Sequence, residues 1–319
     1  MYRIGIDLGG TNIAAGLVNE NFEIVAKDSV PTLAERAGEE IVKDIARVSR
    51  MVCEQAGVAV EEVAALGIAS PGVVDNDTGY VVYANNLNFR HFPIIPLLRE
   101  HLPIKDMFIE NDANAAAWGE AIAGAAKGSR SSVMITLGTG VGGGIVADGK
   151  VFKGFNNAGG ELGHIVIQEG GEPCSCGRKG CWEAYSSATA LIRMTKEKLE
   201  ECVRAGKATK MAEMVEQKGK VNGRTAFDCM RMGDEAATEV VNTYIAYLAS
   251  GLASMINIFQ PEVLSIGGGI SNEGQFLLDL VVPLVREQQY GNGFVELTDI
   301  RIAQLRNDAG IIGAAVLGL

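Results

Sequence analysis

One histidine and three cysteines lie within eighteen positions of this 319-residue chain, in the segment GELGHIVIQEGGEPCSCGRKGCWEAY. His164, Cys174, Cys176 and Cys181 form a Cys3His set, a common set of ligands for structural zinc. Four protein ligands complete a tetrahedral site and leave no open position for water. The segment is rich in glycine and poor in apolar residues, so a bound metal would order it. The alternative is a loop that contains three unconnected cysteines.

Two glutamates, Glu161 and Glu183, flank this cluster. If a metal orders the loop, both carboxylates become fixed and can accept pairs of hydrogen bonds from neighbouring hydroxyls of a sugar. His164 could bind zinc through one ring nitrogen and meet a hydroxyl through the other. The alternative is that either glutamate is a solvated surface charge.

Three turns rich in glycine each follow an apolar strand: DLGGT at 7–11, LGTGVGGG at 137–144 and IGGGIS at 266–271. Glycine lets the backbone approach an anion, and successive N–H groups can converge on phosphate oxygens. Asp7, beside the first turn, could hold Mg²⁺ directly or through water. Each turn alone could be a simple hairpin. The chain has no P-loop and no clean strand–GxGxxG–helix unit, which argues against a nicotinamide dehydrogenase.

The segment IENDANAAAWGE places Asn111 and Asp112 between a predicted strand and a helix rich in alanine. Asp112 could be the N-cap of that helix, and position alone favours this interpretation. It could instead be a general base that accepts the proton of an attacking hydroxyl when ATP is bound.

The apolar periodicity predicts strands that alternate with helices, which is typical of the α/β class. We expect a strand meander over 2–30 and helices over 34–54, 113–125, 184–201, 235–259 and 274–289. We expect further strands at 63–69 and 107–112, and one in EVLSIGGG (262–269) that leads into the third glycine turn. A strand–turn–strand pattern near residue 2 recurs about 130 residues later. This weak repeat predicts two similar domains with a cleft between them.

The formal net charge of -11 argues against a nucleic-acid-binding protein, which would need a basic surface. No apolar run reaches the roughly 20 residues that span a bilayer, and no signal-peptide pattern is present. We therefore expect a cytoplasmic protein without a membrane partner.

Together the motifs resemble the ROK family of sugar kinases, in the actin-like ATPase superfamily. The resemblance covers nearly the whole chain and rests on IGIDLGGT, ENDANAAAWGE, LGTGVGGG, GELGH, CSCGRKGCWE and SIGGG, in the family's order. It is nearest to the bacterial glucokinases of that family. It implies an α/β, two-domain actin-like (ribonuclease H-like) fold, with a small domain over 1–112 plus 306–319 and a large domain over 113–305. We expect no additional DNA-binding domain, so a repressor role is disfavoured.

The resemblance also implies roles for particular residues. Asp112 resembles the catalytic base, Asp7 the aspartate near the Mg²⁺ of MgATP, and the Cys3His set the ligands of a structural zinc. The residues that resemble sugar-binding positions are Gly72, Asn85, Asn111, Asp112, Glu161, His164 and Glu183. Besides Asp7, those that resemble nucleotide-binding positions are Gly9, Gly10, Thr11, Thr136, Gly138, Thr139, Gly140, Gly267, Gly268 and Gly269.

The implied reaction is the phosphorylation of glucose by ATP, in a homodimer or homotetramer. Kinases for N-acetylmannosamine share these motifs but resemble a pattern with arginine shortly after the SPG-like turn. This chain has Val73, Val74 and Asp75 there, which favours glucose. The alternatives are another hexose kinase of the family and a non-catalytic sugar sensor.

Overall fold

A computed structural model describes residues 1–319, and the chain divides into two compact units. The first unit comprises Met1–Met134, Gly144–Gly160 and Ala303–Leu319. The second unit comprises Ile135–Gly143 and Glu161–Ile302. The first unit, like the predicted small domain, combines the N-terminal part of the chain with its C-terminal helix. The predicted domain boundaries themselves stay a prediction.

Strands and helices alternate along the chain, as the sequence predicts. The strands are β1 (Tyr2–Leu8), β2 (Asn12–Val18), β3 (Ile24–Pro31), β4 (Val63–Ser70), β5 (Val73–Asp75), β6 (Tyr80–Ala84), β7 (Phe89–Phe92), β8 (Asp106–Asn111), β9 (Ser132–Leu137), β10 (Val141–Ala147), β11 (Lys150–Val151), β12 (Val263–Gly267) and β13 (Asp299–Ile302). The helices are α1 (Gly38–Ala56), α2 (Ile94–Arg99), α3 (Asp112–Ala123), α4 (Glu183–Ser186), α5 (Ala188–Arg204), α6 (Lys210–Lys218), α7 (Thr225–Arg231), α8 (Glu235–Phe259), α9 (Gln275–Gln288) and α10 (Ala309–Ala315).

The first sheet has the strand order β3-β2-β1-β4-β8. The first three strands form the predicted antiparallel meander, whereas β4 pairs parallel to β1 and β8 pairs parallel to β4. Because the carboxyl ends of parallel strands meet at one edge of a sheet, the segments DLGG, SPG and END emerge at the same edge. The pairs Asp7↔Ala69 and Ser70↔Asn111 confirm this alignment.

The helix α1 packs its apolar face on this sheet. Ile41, Ile45, Val48 and Val52 recur at helical spacing and are fully buried. Burying one such side chain stabilises the fold by about 2 kcal/mol. The helix begins at Gly38, four residues later than predicted, and ends at Ala56, where the capping residue Gly57 lies in the left-handed region.

The second sheet has the order β11-β10-β9-β12-β13, with β10 antiparallel to β11 and β12 parallel to β13. When the strands of each sheet are numbered by their order along the chain, both sheets have the spatial order 3-2-1-4-5. The strand β9 begins at Ser132 and β1 at Tyr2. The structure therefore contains the repeat that the sequence predicts, at the same spacing.

A third, antiparallel sheet of β5, β6 and β7 was not predicted. Its strands have only three to five residues, and the segments between them contain the turn formers asparagine, aspartate and glycine. Val81, Ala84 and Phe89 attach it to the core of the first unit.

The helices of the second unit follow local capping signals. The helix α8 spans the predicted residues: Asp234 accepts a hydrogen bond from the backbone N–H of Ala237 at 2.9 Å, and Pro261 follows its end. The single helix predicted over 184–201 is wrong, because Ser187 interrupts it and caps α5 through Ala190. None of the helices combines the length and the apolar composition that crossing a membrane would require.

Candidate active site

The turn between β1 and β2 carries Gly9, Gly10 and Thr11. The backbone N–H of Gly9 donates to the Asn12 carbonyl at 2.9 Å and closes a hairpin. A Cβ atom on Gly10 would stand 3.5 Å from Cβ of Asn86, so the segment after β6 lies against this turn. The backbone is therefore a hairpin, and phosphate binding by the turn stays a prediction.

Asp7 lies near the end of β1, half-buried beside α10. A Cβ atom on Gly310 would come within 3.0 Å of its carboxylate. Burial raises the pKa of the Asp7 carboxyl, and the charge of Lys27 lowers it by a smaller amount. A divalent cation would favour the charged form of such a carboxylate, so the environment of Asp7 fits a site near Mg²⁺.

The junction of β8 and α3 positions Asn111 and Asp112. The N-cap of α3 is Asn111, whose side-chain oxygen accepts from the backbone N–H groups of Ala113 and Asn114 at 3.0 and 3.2 Å. The alternative that Asp112 caps the helix is therefore wrong. Asp112 is the first helical residue, its side chain is exposed, and its Oδ1 accepts from the backbone N–H of Ala113 at 2.9 Å.

Asn111 also joins two predicted sugar-side segments. Its side-chain amide donates to the carbonyl of Gly72 at 3.0 Å. Gly72 has a φ of 89°, and a Cβ atom there would lie 2.0 Å from the carbonyl oxygen of Tyr83. Asn85 immediately follows β6, two residues after Tyr83, and is exposed. The first unit thus connects Gly72 to Asn111 directly and to the Asn85 segment through Tyr83.

An ion pair between the buried Glu110 and the half-buried Lys153, not predicted from the sequence, supports this junction. Glu110, only 3% exposed, immediately precedes Asn111. One of its oxygens accepts from the backbone N–H of Asn111 at 3.0 Å and from the amide of Asn114 at 3.2 Å. The other lies 2.6 Å from the ammonium nitrogen of Lys153. These contacts fix the strand end from which Asp112 projects.

In the second unit, the turn of Gly138, Thr139 and Gly140 lies against the start of α5. The backbone N–H of Ala188 donates to the carbonyl of Gly138 at 2.8 Å, and the hydroxyl of Thr189 donates to that of Thr139 at 2.7 Å. Both contacts use donors at a helix N-terminus, which carries partial positive charge. The half-buried Thr136 lies just before this turn, on β9.

The third glycine turn lies beside the second. Gly267 ends β12, Gly268 has a φ of 83°, and Gly269 begins a short 3-10 helix. A Cβ atom on Gly268 would lie 2.5 Å from the carbonyl oxygen of Leu137, at the end of β9. Only glycine satisfies both the backbone angle and the close approach.

The four predicted zinc ligands converge in the second unit. The nearest ligand atoms of His164, Cys174, Cys176 and Cys181 all lie within 4.8 Å of one another. The distance from His164 Nδ1 to Cys174 Sγ is 3.5 Å, and that from Cys176 Sγ to Cys181 Sγ is 3.6 Å. A tetrahedral site with Zn–S bonds of about 2.3 Å would separate its sulfurs by about 3.8 Å. The donor set and its spacing therefore fit zinc.

The thiols of this group differ in their environment. Burial raises the pKa of Cys181 to about 12, and hydrogen bonds with its neighbouring thiols add to the rise. The backbone N–H of Arg178 lowers the pKa of the exposed Cys176 thiol. A bound Zn²⁺ would have to displace the Cys181 proton, because thiolate is the ligand form.

Aromatic residues anchor the metal-ligand segment to α8. Trp182 is fully buried, and its indole N–H donates to the carbonyl of Tyr247 at 3.2 Å. The hydroxyl of Tyr185 accepts from the backbone N–H of Glu172 at 2.7 Å. The segment therefore has apolar anchors that its composition did not reveal.

Glu183 faces both this segment and the second glycine turn. Its Oε2 accepts from the backbone N–H of Val141 at 3.0 Å, and its Oε1 accepts from the hydroxyl of Ser175 at 2.8 Å. The Cys174 thiol also lies 3.6 Å from Oε1. A Cβ atom on Gly140 would stand 2.2 Å from Oε2, so glycine is needed for this approach. The prediction assigned Glu183 a sugar contact and did not foresee its backbone partner.

Glu161 immediately precedes a short 3-10 helix over Leu162–His164, and His164 is its last residue. The Glu161 side chain is exposed, and His164 turns Nδ1 towards Cys174. The predicted contact of the other ring nitrogen, Nε2, with a sugar hydroxyl stays a prediction.

The comparisons with known proteins agree with this architecture. The sequence model of the ROK family matches residues 3–319. The chain belongs to the ROK family.

Among curated ROK-family relatives, a glucokinase of Halalkalibacterium halodurans is 35% identical over 99% of this chain and 94% of its own length. A glucokinase of Thermotoga maritima is 36% identical over 98% of this chain and 95% of its own length. A crystal structure of a ROK family glucokinase from Streptomyces griseus, in complex with glucose and AMPPNP, is 34% identical and superposes with a TM-score of 0.81 over 99% of both chains. These likenesses confirm the predicted α/β actin-like fold.

Proposed function

We propose that this ROK-family chain transfers the γ-phosphoryl group of ATP to glucose and releases glucose 6-phosphate and ADP. The observation that carries the proposal is the likeness, over the whole chain, to a ROK family glucokinase whose crystal structure holds glucose and AMPPNP. The curated glucokinases at 35 and 36% identity support the same activity.

We assign the role of general base to Asp112. Its carboxylate would take the proton of the 6-hydroxyl as the oxygen–phosphorus bond forms and the bond to the ADP oxygen breaks. The exposed position of Asp112 at the first turn of α3 supports this assignment, because a base must reach the substrate. The N–H groups at a helix N-terminus also stabilise the carboxylate form that accepts a proton.

We assign the orientation of the sugar to the side chains of Asn111, Glu161, His164 and Glu183, together with Gly72 and Asn85. Zinc, when bound by the Cys3His set, would supply no reactive group and would hold the segment between Glu161 and Glu183 in one conformation. The contacts of Glu183 with Val141 and Ser175 support a fixed carboxylate of this kind.

ATP phosphates would be held by the backbone of the first two glycine turns, and the adenosine part by the turn of Gly267, Gly268 and Gly269. Mg²⁺, when bound with ATP, would neutralise phosphate charge. The desolvated carboxylate of Asp7 would favour a cation nearby. A homodimer or homotetramer in the cytoplasm stays a prediction.

A panel of sugars tests the proposal. ADP release from MgATP should depend on added glucose, with kcat/KM for glucose well above the values for mannose, N-acetylglucosamine and N-acetylmannosamine. A preference for N-acetylmannosamine would contradict the substrate assignment but would still be consistent with a sugar kinase. Saturable glucose binding without any ADP release would contradict the kinase and indicate a sugar sensor.

A further inference from the structure

Thr32, the residue immediately after β3, makes hydrogen bonds to both ends of the first glycine turn. Thr32 is fully buried. Its hydroxyl donates to the carbonyl of Gly9 at 2.6 Å, and its backbone N–H donates to the carbonyl of Thr11 at 2.8 Å. A single residue therefore binds the first and last positions of the Gly9–Thr11 turn.

The remaining polar group of Thr32, its backbone carbonyl, connects it to α1 through Arg36. Its carbonyl accepts from the guanidinium of Arg36 at 2.7 Å, and the same nitrogen of Arg36 lies 2.6 Å from the carboxylate of Asp44. Arg47 contacts the other oxygen of Asp44 at 2.7 Å. The hydroxyl, N–H and carbonyl of Thr32 are thus all engaged, and the chain of contacts ends on a helix packed in the core.

The charges along this chain of contacts reinforce it. Partial burial raises the pKa of Asp44, but the hydrogen bonds from Arg36 and Arg47 outweigh burial and hold the pKa below its usual value. Asp44 therefore stays ionised at neutral pH and keeps Arg36 oriented towards Thr32.

The turn needs such external support because Gly9 and Gly10 have no side chains of their own. A flexible glycine segment loses conformational freedom when it binds an anion, and a segment that is already ordered loses less. A hydrogen bond to each end fixes the directions of the peptide groups between them.

We propose that Thr32 is a positioning residue for ATP: it holds the Gly9–Thr11 backbone in the conformation that accepts the phosphates. This inference rests on the proposed function, since it takes the first glycine turn as a phosphate site. Thr32 itself would not touch the nucleotide.

The test compares three variants with matched packing. Thr32→Val keeps the shape and removes the hydroxyl, and Thr32→Ser keeps the hydroxyl. Thr195→Val is the control, because Thr195 is also fully buried and its hydroxyl donates to the backbone carbonyl of Leu191 at 2.7 Å, within α5. Initial rates over ranges of MgATP and glucose, and the rise in Tm caused by MgATP alone, are measured for each.

Thr32→Val should raise KM for ATP roughly tenfold and shrink the MgATP-induced rise in Tm, with KM for glucose changed by less than about twofold. Thr32→Ser should restore KM for ATP to within about threefold of the parent value. Thr195→Val should lower Tm without changing KM for ATP. If Thr32→Val is too unstable to assay, Arg36→Met is used instead. This variant removes the hydrogen bond to the Thr32 carbonyl and should also raise KM for ATP.

Two results would overturn the inference in distinguishable ways. Equal KM values for ATP in the parent and in Thr32→Val would reject the positioning role while leaving the proposed kinase intact. A parent protein that neither turns over ATP nor gains Tm from MgATP would reject the proposed function, and the role of Thr32 with it.

Discussion

The carboxylate of Glu183 accepts a hydrogen bond from the backbone N–H of Val141 at 3.0 Å. The two residues belong to different motifs: Glu183 follows the cysteines, and Val141 follows the second glycine turn. The other oxygen of the same carboxylate accepts from Ser175, inside the Cys3His segment. One side chain therefore links the proposed metal site to a proposed phosphate loop.

Glu183→Ala should destabilise the fold and lower kcat/KM for glucose. The Val141 N–H lies in a buried residue and would lose its partner, which costs about 1–3 kcal/mol. Glu197→Ala is the control, because Glu197 makes only an exposed ion pair with Arg193 at 3.0 Å, and such pairs contribute little. Urea titration gives the free energy of unfolding of each variant. Equal values for the two variants would show that the link to Val141 carries no stability.

Cys176→Ala should abolish stoichiometric zinc binding and lower Tm. Cys176 is exposed, so the substitution removes almost no packing, and a large drop in Tm must come from the lost metal. Elemental analysis should find one zinc per chain in the parent protein and in Cys53→Ala, whose thiol lies in the core far along the chain from this cluster. A parent protein that contains no zinc, together with equal Tm values for the parent and for Cys176→Ala, would contradict the metal assignment.

Lys153→Met should destabilise the first unit by about 3 kcal/mol, because it leaves the buried carboxyl group of Glu110 without its cation. The double variant Lys153→Met/Glu110→Gln should recover part of this loss, since the glutamine carries no charge. A double-mutant cycle by urea unfolding measures the coupling. Additive effects of the two single changes would show that the pair is not coupled.

Asp7→Asn should raise the stability of the ligand-free protein at pH 7 while impairing turnover. The folded-state pKa of Asp7 lies above its usual value of 3.8, so the folded protein binds this proton more tightly than the unfolded chain does. Stability is therefore lost as pH rises from 3.8 through the folded pKa, above which the buried charge destabilises the fold.

The gain in Tm for Asp7→Asn should shrink as the pH is lowered below 3.8, where the carboxyl is protonated in both states. Asp148→Asn is the control, because the Asp148 side chain is 92% exposed. Melting curves in a series of buffers check the effect. A loss of Tm at pH 7 in Asp7→Asn would contradict the assignment of Asp7 as a carboxylate that burial destabilises.

Regular periodicity made most of the fold predictable. The buried stripe of α1, the extent of α8, and the two strand–turn–strand patterns could all be inferred from local sequence. The strands β5, β6 and β7 could not, because they are too short to show alternation. The helix predicted over 184–201 failed at Ser187, where a favourable N-cap outweighed the helical pattern on both sides.

The candidate site was predictable where spacing along the chain reflects chemistry. The close spacing of the cysteines and His164 predicted a cluster, and the structure brings the four ligand atoms together. The contacts of Thr32 with Gly9, of Lys153 with Glu110 and of Glu183 with Val141 were not predictable. Each joins residues at least 23 positions apart, and no local pattern encodes such a pairing. The cap of α3 differed from the prediction by a single residue, because asparagine and aspartate cap helices equally well.

If Asp112 takes the proton of the glucose hydroxyl as ATP transfers its phosphoryl group, Asp112→Asn should form glucose 6-phosphate far more slowly than the parent protein does. The matched control is Asp106→Asn, an exposed carboxylate at the opposite end of β8. We expect kcat of Asp112→Asn to fall by about 10²–10⁴, with KM for glucose within a few-fold of the parent value and Asp106→Asn unchanged. A kcat for Asp112→Asn near that of the parent protein would show that Asp112 is not the general base.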